Sequence, residues 1–155
     1  MSDSERDTTE IVVKRSDTGE RRFFLPDGTP IVKSSIALIR ALQDGLPATM
    51  ALKVPEVTGL PRRIVDQVVI DRRTLNRRLD KGEALHAEEA DRLIRLLRIV
   101  ERGDLAFGSP ACSVEWLTEE NGALGCLAPV MLCRTETEAE VVEDMLTALI
   151  QGSAA

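Results

Sequence analysis

Val69-Ile70-Asp71-Arg72-Arg73-Thr74-Leu75-Asn76-Arg77-Arg78-Leu79-Asp80-Lys81 is the stretch on which the fold turns. It reads as a short helix. Asp71 is a residue type that caps helix N-termini, and Lys81-Gly82 supplies a basic last turn followed by a helix-ending glycine. With Arg72 at 0°, Leu75 and Leu79 fall near about 300° and 340° and define a buried stripe. Asn76, Arg73 and Arg77 fall near about 40°, 100° and 140° and point away from it. Arg72 and Arg78 are expected to flank the stripe. Residues 61–82 hold seven Lys/Arg against three Asp, a local balance of +4 in a chain of net charge −6.

A cationic helix of this kind suits DNA. Arg can grip guanine O6/N7 with two prongs and Asn can do the same to adenine N6/N7, while flanking cations suit phosphates. A shorter helix precedes it, opened by Pro61 and buried through Ile64, Val65 and Val68. The pair reads as a helix-turn-helix whose first member crosses the DNA backbone. The candidate DNA contacts are Arg62, Arg72, Arg73, Thr74, Asn76, Arg77 and Arg78. A solvated basic face that binds nothing stays open as the alternative. The turn Gln67-Val68-Val69-Ile70 also lacks the glycine common in such turns.

The rest of the chain reads as helical. Ser35 can cap a helix through Ile36, Leu38, Ile39 and Leu42 that ends at Asp44-Gly45, and Pro47 opens a second that Pro55 and Gly59 break. Ala87 to about Phe107 carries apolar residues at a period of about 3.6, ended by Gly108-Ser109-Pro110. A short helix around Trp116 and an irregular segment from Thr118 to Pro129 follow. The last helix starts near Thr135, where Thr135-Glu136-Thr137-Glu138 matches a capping box. It carries Val142, Met145, Leu146 and Leu149 toward a core, with Gly152 as its stop. Residues 1–33 stand apart, with β-prone Ile11-Val12-Val13 and Arg22-Phe23-Phe24-Leu25 around Asp17-Thr18-Gly19. The expected fold is all-α: a helix-turn-helix domain at 34–84, a small helical domain at 85–155, and an N-terminal arm or short β-hairpin at 1–33.

Composition narrows the function. Residues 83–155 carry five basic and fourteen acidic side chains, a net of −9. Acidic helices either keep a protein soluble or complement a cationic partner. Cys112, Cys126 and Cys133 form no C-x-x-C pair and are expected to be reduced and mostly buried. The single histidine, His86, is expected at the surface near a helix start. There is no metal-ligand spacing, no Gly-rich phosphate loop and no nucleophile–base set, so an enzyme is the weakest reading and neither metal nor cofactor is expected. The polar N-terminus, MSDSERDTTE, is no signal peptide, and no run of about 18 apolar residues exists. A cytoplasmic location without a membrane partner is the expectation.

Leu75-Asn76-Arg77-Arg78-Leu79, Lys81-Gly82, Leu85 and Glu88-Glu89-Ala90-Asp91-Arg92-Leu93-Ile94-Arg95-Leu96 resemble the Xre/ParS-like antitoxins. The pattern continues through Phe107-Gly108, Trp116-Leu117, Asn121-Gly122-Ala123-Leu124-Gly125, Pro129 and an acidic last helix, and covers about residues 35–152. Cys126 stands where Gly is frequent and Ala128 where Thr is frequent before the Pro. The resemblance implies a type II antitoxin with operator DNA as one partner and a RES-type, NAD-degrading toxin, or a related ADP-ribosyltransferase, as the other. It also implies a homodimer, a larger hetero-oligomer with the toxin, and a C-terminal region that covers the toxin's active site. Asn121, Leu124, Gly125, Pro129, Leu149, Ile150, Gln151 and Gly152 are then the candidate toxin contacts. A stand-alone helix-turn-helix regulator whose C-terminal domain only dimerises is the other reading.

Overall fold

The computed structural model describes residues 10–32 and 34–153. The first nine residues of the expected N-terminal arm, and Lys33, lie outside them. Two strands, β1 (Val12–Arg15) and β2 (Arg21–Phe24), precede seven helices among the described residues. These are α1 (Ile36–Asp44), α2 (Thr49–Thr58), α3 (Arg62–Val68), α4 (Arg72–Lys81), α5 (Ala87–Phe107), α6 (Pro110–Thr118) and α7 (Glu136–Ser153). Two 3-10 segments, Gly122–Leu124 and Pro129–Cys133, fill the connection from α6 to α7. The fold is mostly helical with one antiparallel hairpin, as the sequence pattern implies.

Local chemistry sets most boundaries. Ser35 Oγ accepts from the Leu38 N–H at 3.1 Å and opens α1, which ends at Gly45. Asp71 Oδ1 accepts from the Thr74 N–H at 2.9 Å and opens α4, which Gly82 ends in the left-handed region at φ 65°. Thr135 Oγ1 accepts from the Glu138 N–H at 3.2 Å and opens α7. Two boundaries differ from expectation. Helix α2 runs through Pro55 to Thr58, and the Pro55 carbonyl still receives the Gly59 cap N–H. Helix α7 runs past Gly152 to Ser153.

Helix α5 is the central element. Ala90, Leu93, Leu96, Leu97, Ile99 and Val100 are all fully buried. It packs against α7, α6, β2, α1 and α2, and near its start Glu89 and Arg92 hold α4 and the α3–α4 turn. Gly103 lets α6 close in, since a Cβ there would sit 2.4 Å from Ser113 Oγ. One buried cluster runs from Ile11 to Leu146, so the core crosses from the helix-turn-helix into the C-terminal helices. No helix among the described residues is long and apolar enough to cross a membrane.

Of the arm or short β-hairpin expected at the N-terminus, the structure has the hairpin, and it is docked. Its register pairs Val12 with Phe24 and Arg15 with Arg21, and Ile11, Phe23, Leu25 and Ile31 enter the core. Arg21 is 4 % exposed and grips the fully buried Asp104 on α5 through Nε at 2.7 Å and Nη2 at 2.9 Å. The Arg21 backbone N–H reaches the same carboxylate at 3.0 Å, and Nη1 donates to the Val57 and Thr58 carbonyls. Local β-propensity could not reveal a partner 83 residues away.

Glu101, one turn before Asp104, accepts the Phe23 N–H at 3.2 Å. Burial pushes its carboxyl above the usual carboxylate range. A raised acid favours its neutral form in the fold, so stability falls as pH rises from the unfolded value through the folded one. Glu101→Gln therefore raises the melting temperature at pH 7 and has no effect near about pH 3, below the ordinary carboxylate value. Equal shifts at both pH values in thermal melts would show that charge at Glu101 is not the cause.

Candidate functional site

Helices α3 and α4 meet through Val69, Ile70 and Asp71. Val69 has φ −102° and ψ −65°, so the turn never enters the left-handed region and needs no glycine. Val69 and Ile70 are buried, and Arg92 of α5 donates to the Val69 carbonyl at 3.0 Å. Leu75 is buried beneath α4, while Arg72, Arg73, Asn76 and Arg77 are exposed and Thr74 is half-buried. Thr74 Oγ1 also donates to Asp71 at 2.7 Å, and these hydrogen bonds hold the Asp71 carboxyl below its ordinary range. A deprotonated cap at a helix N-terminus matches the positive end of the dipole.

The cations divide into two kinds. Arg73 and Arg77 are exposed and form no ion pair among the described residues. Arg72 lies 3.5 Å from Asp66, and Arg62 is half-buried with its Nε enclosed and unpartnered among the described residues. Arg78 departs from the expectation of a residue flanking the stripe: it is 3 % exposed. Its Nε donates to Glu89 Oε1 at 2.9 Å and Nη2 to Glu89 Oε2 at 3.1 Å. Nη1 reaches Glu83 at 3.3 Å, and Nη2 lies 3.0 Å from His86 Nδ1. With its donors spent on protein, Arg78 cannot serve a phosphate. It lies only about 60° from Leu75 on the helix, close enough to be drawn into the buried stripe.

Glu89 joins two jobs. It accepts the His86 N–H at 2.7 Å as half of the capping box of α5, and it binds Arg78 from α4. Burial alone would raise its carboxyl, but the Arg78 and His86 hydrogen bonds outweigh that and hold it below the ordinary range. His86 is exposed at the helix start, as expected. Helix α4 is thus fixed to α5 by a charged fork, beside the buried Leu75 and half-buried Leu79.

The candidate contacts in the C-terminal half fall into two groups. Residues 121–127 form a closed turn: the Asn121 N–H donates to the Leu127 carbonyl at 3.1 Å and Asn121 Oδ1 accepts from the Ala123 N–H at 3.0 Å. The Asn121 side-chain oxygen therefore shapes the turn. Leu124 is half-buried, Gly125 is exposed, and Leu127, absent from the expected contacts, is 49 % exposed. Among the described residues, Cys126 is the non-glycine residue at positive φ (63°), a backbone conformation that favours Gly. Pro129 departs from its expected role as a contact, being buried where the 3-10 segment begins.

Leu149, Ile150, Gln151 and Gly152 lie at the far end of α7, about 20 Å along its axis from Glu136. Helix α7 runs parallel to α5: Arg95 binds Glu136 at 3.0 Å, Arg98 binds Glu143 at 2.6 Å, and Arg102 reaches Thr147. Leu149 is 40 % exposed rather than part of the core, and Met145 is half-buried. Val141, Glu140 and Asp144 are exposed as well, so the outer face of α7 is mixed apolar and acidic. Trp116 is half-buried against Phe107, with ring centroids 5.4 Å apart. Contrary to the expectation of mostly buried thiols, Cys112 and Cys126 are exposed; only Cys133 is buried, and burial pushes its thiol up to about 12.

Comparison with known proteins separates the same two regions. Residues 37–98 match the model described as the antitoxin Xre-like helix-turn-helix domain. Residues 102–152 match the antitoxin Xre/MbcA/ParS C-terminal toxin-binding domain. The chain is also similar to Antitoxin Xre of Pseudomonas putida, with 27 % identity over 123 residues, 79 % of this chain and 77 % of that protein. With both domains present in this order, the chain belongs to the Xre/MbcA/ParS family of type II antitoxins.

Proposed function

We propose that this antitoxin neutralises a RES-type, NAD-degrading toxin by covering its active site, and represses its own operon through α4. In this reading residues 34–84 carry the DNA contacts and residues 85–155 the toxin contacts. It needs no catalysis or cofactor of its own and acts in the cytoplasm as a homodimer that builds a larger complex with the toxin. The observation that carries the DNA half is the exposed row Arg73, Asn76 and Arg77 on a helix capped by Asp71 and clamped through Arg78. The toxin half is supported by the match to the toxin-binding domain and by the mixed apolar and acidic surface of α7 and the 121–127 turn. A cleft that binds NAD phosphates is cationic, and acidic side chains complement it.

Co-expression with the product of the adjacent reading frame tests the toxin half. The two proteins are expected to elute together, and cellular NAD to be preserved only when the antitoxin is intact. Deleting residues from Leu149 onward is expected to impair rescue of growth while DNA binding persists. Separate elution with persisting toxicity would leave a stand-alone regulator as the better reading. Toxicity without NAD loss would point to an ADP-ribosyltransferase instead. For DNA, Arg73→Ala or Arg77→Ala is expected to weaken operator binding by about 1–3 kcal/mol if either reads a base, with toxin binding intact. Unchanged affinity in a mobility-shift titration at fixed salt would rule out α4 as the reader.

A further inference from the structure

The first residue of α4, Arg72, meets a carboxylate of the preceding helix. We propose that Arg72 reads a guanine in the major groove and that Asp66 on α3 is the positioning residue that aims it. This rests on the reading of α4 as the DNA-facing helix.

In a helix-turn-helix the N-terminal residues of the second helix reach the base edges. Arg72 holds that place in α4, and Asn76 follows one turn on, about 40° round the helix. The Arg72 side chain is 56 % exposed, and its Nε lies 3.5 Å from Asp66 Oδ2. Neither Nη1 nor Nη2 makes a hydrogen bond among the described residues. A guanidinium held at Nε keeps both terminal amino groups for one ligand, and their fork matches the O6 and N7 of a guanine edge. An unheld arginine gives up its rotamer freedom when DNA arrives, whereas a held one has given up part of it already.

The carboxylate is itself fixed. Ile64, Val65 and Val68 are buried and anchor α3. Asp66 Oδ1 is enclosed and has no hydrogen-bond partner among the described residues, so the carboxylate is turned inward and offers Oδ2 to Arg72. The neighbouring charges are engaged elsewhere. Asp71 accepts from the Thr74 N–H and Oγ1, and Arg92, which lines the same polar cavity as Asp66, donates to the Val69 carbonyl. That hydrogen bond and the buried Val69 and Ile70 fix the turn, and with it the separation of α3 and α4 at this point. A carboxylate beside a polyanion weakens binding to DNA of any sequence. A surface ion pair adds little stability. An acid that lowers general affinity and adds little stability contributes instead to specificity, by holding one arginine in the orientation that discriminates bases.

Fluorescence anisotropy on the duplex preceding the reading frame, and on a scrambled duplex of equal length, tests this with the antitoxin alone and co-purified with the toxin. Arg72→Lys keeps the charge and loses the fork. It is expected to lose roughly tenfold or more on the first duplex and little on the scrambled one, with the salt slope unchanged. Asp66→Ala is expected to bind the scrambled duplex as well as wild type or better, and the first duplex worse, with an unchanged melting temperature. The double variant is expected to be no worse on the first duplex than Arg72→Lys alone, because both changes remove the same interaction. Replacing guanines singly by a deaza analogue that lacks the N7 acceptor is expected to weaken wild type at one position to which Arg72→Lys is indifferent. Arg77→Ala is the control for α4. Arg72→Lys that discriminates the duplexes as wild type does, with Arg77→Ala weakened, would make Arg72 a phosphate contact and overturn the proposal while α4 stands. Asp66→Ala that gains equally on both duplexes would show that Asp66 only repels DNA, and would overturn its positioning role. If Arg72→Lys and Arg77→Ala both bind as wild type does, the reading of α4 falls as well.

Discussion

Asp104→Ala is expected to lower stability by about 3–5 kcal/mol, the usual cost of breaking a buried ion pair from one side. Asp104 is fully buried, and its two oxygens accept from Arg21 Nε, Nη2 and backbone N–H. Removing the carboxylate leaves a guanidinium enclosed with only the Val57 and Thr58 carbonyls. At about 2–4 °C per kcal/mol for a domain of this size, the melt should shift by roughly 10 °C. The hairpin should also lose hydrogen-exchange protection before the helices do, since among the described residues β1 and β2 form a sheet of two strands only. The double change Arg21→Met/Asp104→Leu is expected to recover most of the loss, because two apolar side chains leave no charge unpaired. A melt of Asp104→Ala within a degree or two of wild type would mean the hairpin is held by Phe23, Leu25 and Ile31 alone.

Arg78→Ala is expected to cost about 2–3 kcal/mol and, with it, operator affinity, although Arg78 touches no solvent-facing ligand. Glu89 would remain 7 % exposed without its cation, and α4 would lose its charged tie to the start of α5. Arg78→Lys is expected to recover only part, since an ammonium cannot span both Glu89 oxygens as the guanidinium does. Arg73→Ala gives the contrast: weakened DNA binding with an unchanged melt. The sign of the pH dependence follows from Glu89, whose folded carboxyl is held below its ordinary range. Its contribution is present above the unfolded carboxylate value and is lost as pH falls through the folded one. The gap between wild type and Arg78→Ala should therefore be widest near neutrality and shrink in acid. Melts that separate by the same amount at pH 7 and in acid, or an Arg78→Ala protein that binds operator as wild type does, would contradict the clamp.

Local patterns were legible where local physics decides. Asp71, Ser35 and Thr135 act within one turn, so their caps could be read directly, and so could the apolar period of α5 and the exposed row Arg73, Asn76 and Arg77. Arg78 shows where such reading stops. By type it belongs with the other arginines of α4, and its place beside Leu75 becomes decisive only when Glu83 and Glu89 come round to meet it. The hairpin is the same lesson at longer range. Val12–Arg15 and Arg21–Phe24 carry weak strand signals, and only Asp104, far along the chain, turns them into a fixed element.

By itself, then, the sequence determined the helical class, the helix-turn-helix pair, the caps, the unequal split of charge between +4 and −9 segments, and the ordered motifs that carry the family resemblance. Each of these depends on neighbours within a turn or two, or on composition. Only the tertiary structure decided which arginines are exposed and which are spent, that the first strands are docked, and that Pro129 is buried while Leu149 is exposed. Those outcomes depend on which charges share the buried space around α5. Burial penalises an unpaired charge, and the identity of its partner is set by packing across tens of residues.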